Sequence, residues 1–525
     1  MTKRTLSALA AVASTFTATG AFAQEATPPP APDAGAPAVQ APPPEAQAPA
    51  ATPAPAATAF PPPVPPPPPA SDTGGPPPAS TIVPTDSAWF TRAPLAVTIG
   101  EGEHKWQMTV YGFVEADVMN DSTRSYGDAI GASLVSRDEV YEGQNGRTQF
   151  SIRNSRLGFA LQSPTVGGIR PSAVVEGDFF GNQPAKPPTQ SEQSYFDSPT
   201  FRIRHAYLKL QDDYVDVIAG QTYYLFGWQS YFFPASLEFL PLPNEAFGRT
   251  TQVRLSHTFS SDPVNVDIAV AALRPVQRDS EIPDFNGGLR LQVNHWKGIS
   301  TPGNGGTSAF PAAIGVSGAV RSFKVDAFQM PPTQSSNSAT GWGISIDALI
   351  PIIAASDAND RGNRLTLTGS FVVGSGISDL VNANGGANFP TLPNPAMISP
   401  PPSYTPDIDP GIVTFDTSGV LHTIDWQTFM VGIQYYLPPT GRVILSANYT
   451  QAYSQNMGAL YPQGGAEIML FSRVAKLLRY ADANVFWDVT PAVRVGASFQ
   501  YTSSEYVDGS TPRNLRWMGQ ALYFF

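Results

Sequence analysis

The chain ends on residues 517–525, with the sequence WMGQALYFF. Every second residue of this stretch, from Trp517 to Phe525, is apolar or glycine, so Tyr523 and Phe525 close one apolar face. Side chains alternate between the two faces of a β-strand, and a period of two is therefore typical of a strand with one face in apolar surroundings. The sequence predicts that the chain finishes in a β-strand with an outward apolar face.

The same two-residue alternation recurs along most of the chain before this final strand. Within 110–118, Val110 and Val114 share one face, while Glu115 and Asp117 share the other. A strand with one apolar and one more polar face gives this pattern. The alternation predicts sixteen strands, near 108–119, 148–162, 169–180, 201–211, 214–223, 250–259, 264–273, 287–296, 314–328, 340–350, 363–374, 424–437, 441–453, 473–488, 492–506 and 514–525.

The segments between these strands alternate in length. Short turns such as 211–213 and 438–440 follow strands 2, 4, 6, 12 and 14, and long connections, up to 375–423, follow strands 1, 3, 5, 11 and 13. The gaps after strands 8 and 10 are longer than a tight turn. Short turns at one rim and long loops at the other are typical of a transmembrane antiparallel β-barrel with a periplasmic and an external end. The predicted fold class is all-β: a transmembrane antiparallel β-barrel of about 16 strands, preceded by a disordered Pro/Ala-rich N-terminal segment.

Soluble all-β folds produce similar patterns and require separate arguments. A propeller or a β-helix would carry a fixed sequence repeat, and none is visible. Stretches of about ten or more residues suit a tilted bilayer crossing better than a sandwich. The terminal aromatic residues Tyr523 and Phe525 also resemble the assembly signal of bacterial outer-membrane barrels, which favours the barrel.

The N-terminal part of the chain has a different composition. A basic start, an apolar run and small residues before Gln24 indicate a secretory signal peptide over 1–23. Residues 24–88 are rich in Pro and Ala and have too few apolar side chains to form a core, so they predict a disordered periplasmic linker. The barrel domain is predicted over 89–525.

Composition and charge exclude several classes of protein. Cleavage after residue 23 leaves 29 Lys and Arg against 42 Asp and Glu, a net charge of −13. An acidic protein is a poor partner for nucleic acid, because phosphate binding needs a basic face. A mean hydropathy of −0.12 disfavours a helical membrane protein. The chain has no cysteine, so no disulfide stabilises it.

Five segments occur in a recognisable order along the first half of the barrel. They are Thr109–Asp117, Asn154–Phe159, Val175–Gly181, Arg202–Tyr207 and Ala219–Tyr223. Their order and spacing resemble the DcaP-like family of trimeric outer-membrane porins. The resemblance implies a sixteen-stranded barrel, a homotrimer in the bacterial outer membrane, and passive uptake of small anionic solutes such as dicarboxylates. The chain departs from the family at its start, where the Pro/Ala tract takes the place of a short coiled coil.

The predicted function is an outer-membrane porin for passive diffusion of small hydrophilic solutes, with anions such as dicarboxylates preferred. The alternatives are a general non-selective porin, a barrel-borne hydrolase, and a tether from the outer membrane to the cell wall through the Pro-rich segment. No catalytic motif, cofactor motif or paired metal-ligand spacing occurs, so no enzyme, cofactor or metal is predicted. His205 and Ser256 are the candidate pair for a hydrolase. Aspartates at 357–360 and 407–409 predict turns rather than a calcium site.

Charged residues within the strands predict the lining of the pore. An arginine facing lipid at mid-depth costs about 2–4 kcal/mol, so strand arginines should face the lumen or a rim. Arginines opposite carboxylates set a transverse field that guides anions. Alternatively, these charged side chains pair with each other and only stabilise the barrel wall. The pore-lining candidates are Arg156, Arg202, Arg204, Arg254, Glu176 and Asp178.

The segment between Thr222 and Arg249 is long and contains nine Tyr, Phe and Trp residues. An exposed external loop would not carry so many apolar side chains, so this segment is predicted to fold into the lumen. Its position after the fifth strand matches the constriction loop of porins. Alternatively, the aromatic side chains form a trimer contact or a layer at the outer membrane surface. The candidates for the narrowest point are Trp228, Glu238, Glu245 and Arg249.

Overall fold

The structure is a computed structural model. The predicted signal peptide and the Pro/Ala-rich segment lie outside the described residues, as does the predicted start of the barrel domain near residue 89. The described residues are 95–131, 134–181, 199–239, 241–325, 338–382, 407–409, 411–416, 420–460 and 474–525.

The described residues form β-strands and a few short helical turns. The strands are β1 (Leu95–Ile99), β2 (Trp106–Asp121), β3 (Arg147–Ser151), β4 (Arg156–Gln162), β5 (Arg170–Gly181), β6 (Thr200–Gln211), β7 (Asp216–Tyr223), β8 (Arg249–Ser260), β9 (Val264–Leu273), β10 (Asp284–Ser300), β11 (Ser308–Lys324), β12 (Ser338–Ile353), β13 (Arg364–Ser375), β14 (Val413–Phe415), β15 (Leu421–Thr423), β16 (Asp425–Tyr436), β17 (Val443–Ser454), β18 (Ala475–Asp488), β19 (Val493–Tyr506) and β20 (Arg513–Phe524). The helical turns are Gly102–His104, Tyr141–Gln144, Phe226–Trp228, Ser378–Leu380 and Met457–Leu460. Among the described residues, no helix combines the length and the apolar character needed to cross a bilayer.

The strands close into one barrel. Neighbours in sequence pair antiparallel from β4 to β13 and from β16 to β20, and β13 pairs with β16. β20 then pairs with β2, so that Phe113 lies opposite Phe524 and the sheet has no open edge. β3 and β4 both pair with β2 on its other side and act as one barrel strand. The predicted sixteen-stranded antiparallel barrel is confirmed.

Two predicted strands differ from the structure in instructive ways. The predicted strand 148–162 is interrupted after Ser151, because the Ser155 hydroxyl takes part in the ladder: Glu115 N–H donates to Ser155 Oγ over 3.0 Å. The predicted strand 314–328 begins earlier, at Ser308, and ends at Lys324. Pro311 suggests a strand end in sequence, but here it pairs beside a register shift in β10, where a missing N–H is tolerated.

The two faces of the barrel wall have opposite chemistry. On β12, for example, Ile344 and Ile346 are exposed on the outer face, while Ser345 and Asp347 are buried on the inner face. The outer face carries exposed apolar side chains of this kind all round the barrel. An apolar exterior and a polar interior with a period of two are the pattern of a transmembrane β-barrel.

The connections define two rims. The start of β2 and the end of β20 lie at the rim that has the short turns, for example 212–215, 261–263 and 437–442. The opposite rim carries the long connections, of which 122–146 and 224–248 are the best described. In barrels of this type the short turns are periplasmic and the long loops external.

The apolar core lies inside the barrel rather than between layers. Residues 224–248, termed the lumen loop below, descend from the external rim into the interior. Trp228 and Phe232 of this loop pack against inward-facing alanines of β9 and β11, and Leu237 packs against residues of β18 and β20. The loop therefore narrows the lumen and buries its own aromatic side chains.

Candidate functional site: the lumen and its two mouths

The lumen loop packs against glycines of the barrel wall. A Cβ atom on Gly315 would lie 2.7 Å from the Trp228 ring, and one on Gly288 would lie 2.9 Å from it. Trp228 Nε1 donates to the Val316 carbonyl over 3.2 Å, and the Arg290 guanidinium lies 5.0 Å from the centre of the ring. The ring is thus held by a hydrogen bond and a cation–π contact against a wall without side chains.

A second segment enters the lumen from the periplasmic rim and meets the lumen loop. Residues 301–307, termed the inner turn, are buried, and Gly303 N–H donates to the Pro234 carbonyl over 2.8 Å. Arg494 holds this turn, with Nη1 donating to the Gly305 carbonyl over 2.6 Å. The Asp488 carboxylate in turn pairs with Arg494 over 2.7 Å. External and periplasmic segments therefore touch inside the barrel.

Two carboxyl groups of the lumen loop are buried in this contact region. Glu238 accepts a hydrogen bond from Ile130 N–H over 3.0 Å and lies 3.7 Å from Arg516. Burial raises the pKa of Glu238 to about 7. Glu245 accepts from Leu242 N–H over 3.0 Å, and burial raises its pKa well above the usual value. Both carboxyl groups attach the lumen loop to itself and to neighbouring segments, and their role at the narrowest point stays a prediction.

The predicted pore-lining arginines of the early strands form an ion-pair cluster. Arg204 Nε donates to Glu176 over 2.7 Å, and its Nη1 donates to Asp178 over 3.0 Å. Arg156 lies 3.4 Å from Glu176. Arg202 pairs with Asp178 over 2.6 Å and keeps 39% of its side chain accessible. The geometry corresponds to wall-holding pairs, and solute guidance by these arginines stays a prediction.

Other strand arginines face the lumen as well. Arg254, which was predicted to line the pore, donates to the Gln252 side chain over 2.9 Å and to the Tyr223 carbonyl over 2.5 Å. Arg290 pairs with Asp267 over 2.8 Å, in a fully buried contact. Arg254, Arg290 and Asp267 are all buried, so none of these charged side chains is exposed on the lipid face. This agrees with the high cost of a charge in hydrocarbon.

An arginine-lined cavity opens at the external mouth of the lumen. It has a volume of about 450 Å³ and is lined by Arg249, Arg274 and Arg278, among others; it is termed the external vestibule. Arg278 pairs with Asp407 and Asp409. Asp379 and Asp409 also line the vestibule, and they pair with Arg321 and Arg278. Among the described residues, no ion pair joins Arg249 or Arg274 to a carboxylate.

Arg249 owes its position to aromatic neighbours. Its guanidinium lies 5.3 Å from the ring centre of Phe247 and 5.9 Å from that of Tyr223. Its Nη1 atom is buried and lacks a hydrogen-bond partner. The two rings hold the guanidinium in place, and its unpartnered Nη1 donor is enclosed by protein rather than open to the cavity.

The periplasmic mouth has a smaller cavity of about 260 Å³. Arg361 and Arg442 line it, together with the Arg494–Asp488 pair that holds the inner turn. Both mouths of the lumen are therefore rich in arginine, although the chain as a whole is acidic.

The C-terminal residues lie where the barrel closes. Tyr523 and Phe525 are exposed on the outer face, as their alternation predicts. Phe525 N–H donates to the Gly112 carbonyl over 3.1 Å, and Gly112 N–H donates back over 3.2 Å. Gly112 leaves room for this contact, because a Cβ there would lie 3.0 Å from the Phe525 ring. Their role as an assembly signal stays a prediction.

Sequence reasoning missed three features of the lumen. The inner turn gives no apolar signal, because 301–307 reads TPGNGGT, an ordinary turn composition. A β-bulge between Glu176 and Gly177 brings both Arg204 and His205 to the inner face, which a strict period of two does not predict. The apolar residues of 126–135 also pack inward, and they carry the same signal that identified the lumen loop.

The candidate pair for a hydrolase is not brought together. His205 Nδ1 lies 3.1 Å from Thr222 Oγ1, and Thr222 pairs with Thr250 on β8. Ser256 is opposite Asp216 instead, which lies six residues before Thr222 on β7, or about 20 Å away at about 3.3 Å per residue. The aspartates at 357–360 and 407–409 are also engaged, in turn contacts and in ion pairs with Arg364 and Arg278.

A closed sixteen-stranded barrel with an apolar exterior, a charged lumen and an inward loop defines the class of the fold: it is the transmembrane β-barrel of bacterial outer membranes. No protein-family model matches the chain, and no curated protein matches it either. The outer-membrane channel DcaP of Acinetobacter baumannii is similar in structure, with a TM-score of 0.55 and 15% identity, over 80% of this chain and 97% of that one. The resemblance predicted from the sequence is thus confirmed at the level of the fold.

Other solved barrels superpose less well. An anion-selective porin from Comamonas acidovorans gives a TM-score of 0.44 and 9% identity, over 80% of this chain and 100% of that one. OmpT of Vibrio cholerae, in its trimer form, gives a TM-score of 0.44 and 10% identity, over 80% and 99% of the two chains.

Proposed function

We propose that this protein is a homotrimeric outer-membrane porin that lets small hydrophilic solutes diffuse passively and favours anions such as dicarboxylates. The external vestibule supports this proposal, because Arg249 and Arg274 line the entrance of the lumen and form no ion pair among the described residues, whereas the lining carboxylates Asp379 and Asp409 are paired with other arginines. Planar guanidinium groups bind carboxylates through two parallel hydrogen bonds. A solute with two carboxylates matches two such groups.

The proposed preference is local. With a net charge of −13 after removal of the signal peptide, 29 basic against 42 acidic residues, the average field of the protein repels anions. Charges separated by more than about 8 Å are largely screened at physiological salt, so the vestibule arginines dominate only near the entrance. The preference should therefore weaken as the ionic strength rises.

The segments before the barrel have a proposed role as well. We propose that residues 1–23 are removed on export and that 24–88 form a periplasmic spacer ahead of the barrel domain. A chain in polyproline II conformation rises about 3.1 Å per residue, which gives a spacer of roughly 200 Å at most. Co-sedimentation of this segment with cell wall would test whether it also acts as a tether.

The test of anion preference is a reversal-potential measurement in planar bilayers. The double variant Arg249→Gln/Arg274→Gln should move the reversal potential toward cations at about 0.1 M salt and much less at about 1 M salt. Arg513→Gln is the matched control, because Arg513 is exposed on the outer face at the same rim and should leave the potential unchanged. An unchanged potential in the double variant would favour a general, non-selective porin.

A further inference from the structure

The outer face of the barrel has an apolar groove that crosses five strands, from β8 to β12. It has a volume of about 830 Å³ and is termed the outer groove. Gly287 of β10 and Gly318 of β11, which are directly opposite each other, form its floor. Large apolar side chains that are exposed on the outer face border it, among them Val270, Phe285, Val320 and Trp342. The groove is a gap in the layer of apolar side chains on the outer face.

The gap exists because the two floor glycines have no side chains. Apart from its neighbours in the chain, a Cβ atom on Gly287 would have no heavy atom within 4 Å. A Cβ atom on Gly318 would meet only the Gly343 carbonyl oxygen, at 3.5 Å. Neither floor glycine has a positive φ angle, so the backbone does not require glycine at these positions. The space above them is therefore open to whatever surrounds the barrel.

The groove lies just below the external boundary of the apolar band. Phe285, Val320 and Trp342 are neighbours in one row across three strands. Two residues closer to the external rim on their strands, the exposed outer-face residues are polar: Thr251, Arg274, Ser322 and Thr340. Aromatic side chains of outer-membrane barrels gather where hydrocarbon meets the head groups. The groove therefore faces the hydrocarbon of the outer leaflet.

The physics of the bilayer decides what fills such a groove. Lipid hydrocarbon is as apolar as a leucine side chain, so van der Waals packing rather than the hydrophobic effect favours the contact. A hydrocarbon chain in the groove touches protein below it and on both sides, whereas a chain against a smooth wall touches protein on one side only. Barrel strands are tilted by about 35–45°, so a path across the strands also descends into the leaflet, as an acyl chain does.

We propose that the outer groove binds one acyl chain of an outer-leaflet lipid. With neighbouring strands about 4.8 Å apart, five strands give a groove about 19 Å long. One leaflet contributes roughly half of a hydrocarbon core of about 30 Å, so a tilted acyl chain matches this length. The head group then lies at the level of the polar row that contains Ser322 and Thr340. Lipid binding at this place is independent of solute passage.

The position of the groove gives the bound lipid a structural role. Gly288 follows Gly287 and faces the lumen, where a Cβ atom would lie 2.9 Å from the Trp228 ring. Gly315 of β11 faces the same ring, with a corresponding distance of 2.7 Å. Little more than backbone therefore separates the lumen loop from the outer groove. A bound acyl chain supports from outside the part of the wall against which Trp228 packs from inside.

The test is lipid retention by the full chain, extracted from outer membranes in a mild detergent and measured by native mass spectrometry. The wild-type protein should retain one lipid per chain. Gly318→Leu should lower the fraction of chains with a bound lipid at least about fivefold, because the new side chain takes the place of the acyl chain on the floor of the groove. Gly287→Leu should have the same effect, which preserves the test if one variant fails to fold.

The matched control is Gly369→Leu. Gly369 lies between Leu367 and Phe371 on the outer face of β13, outside the groove, and a Cβ atom there would lie 3.6 Å from the Met430 carbonyl oxygen. This variant adds the same bulk to the outer face and should retain lipid as the wild type does.

Absence of bound lipid in the wild type, or equal retention by Gly318→Leu and Gly369→Leu, would overturn the groove as a lipid site. Loss of the oligomer in Gly318→Leu, with no lipid retained by the wild type, would show that a second copy of the chain covers the groove. That result would also contradict the proposal.

Discussion

Arg202 and Arg204 lie on one strand and one face, yet their replacement should have very different effects on stability. Arg204 is 2% exposed and donates to Glu176, Asp178 and the Tyr223 hydroxyl. Among the described residues, Arg202 makes its ion pair with Asp178, and its side chain remains 39% exposed. The comparison of Arg204→Gln with Arg202→Gln therefore separates a buried ion pair from a solvated one within the same cluster.

The expected magnitudes follow from burial. Removal of one partner from a buried ion pair costs about 3–5 kcal/mol, because the remaining charge loses its compensation. Arg204→Gln leaves Glu176 with Arg156 at 3.4 Å and with the Tyr111 hydroxyl at 3.1 Å, so the lower end of that range is expected. Arg202→Gln should cost about 0–1 kcal/mol, since water replaces an accessible partner and Arg204 still compensates Asp178.

The assay is unfolding in guanidinium chloride, followed by tryptophan fluorescence of the protein refolded into lipid vesicles. The free energy of unfolding is compared for the wild type and the two variants at one pH and one lipid composition. Equal losses in the two variants would refute the reasoning, because burial would then not decide the strength of these pairs. A loss that appears only in Arg202→Gln would refute it more strongly.

Two further predictions concern the seam and the lumen loop. Deletion of Phe525 removes both backbone hydrogen bonds to Gly112 and should lower the heat-modifiable, folded fraction of the protein in the outer membrane. The control variant Tyr523→Phe should leave this fraction unchanged. A normal folded yield of the truncated chain would contradict the assembly role. Burial raises the pKa of Glu238 from 4.5 to about 7, so the folded state holds this proton more tightly and stability should fall as the pH rises through that interval. Glu238→Gln should reduce this fall in guanidinium unfolding at about pH 5 and about pH 8, and an identical pH dependence in the variant would contradict the buried position of Glu238.

The regular parts of this fold follow from sequence because each strand is constrained on both faces. Lipid selects apolar side chains outside and water selects polar ones inside, so the period of two marks each crossing. The cost of a charge in hydrocarbon likewise predicts that Arg204 and Arg254 face inward. The aromatic lumen loop is predicted for the same reason: it has to bury its rings somewhere.

The partners inside the lumen could not be predicted in this way. Pairing between Arg204 and two carboxylates depends on a bulge that shifts the phase of β6 by one residue. Contact between Asn304 and Glu115 depends on a turn that enters the barrel, and nothing in a Gly-rich turn distinguishes entry from exposure. Long-range register and the path of polar turns are properties of the closed barrel, not of local sequence.

The central claim is that the barrel is a passive channel with an anion preference. Its most direct test is the conductance of the purified wild-type protein in a planar bilayer with a salt gradient. The account predicts stepwise ohmic conductance, grouped in threes for a homotrimer, and a reversal potential on the anion side at low salt. A folded, inserted protein with no conductance would contradict the porin itself, and conductance with a cation-side potential would contradict the role of the arginine vestibule.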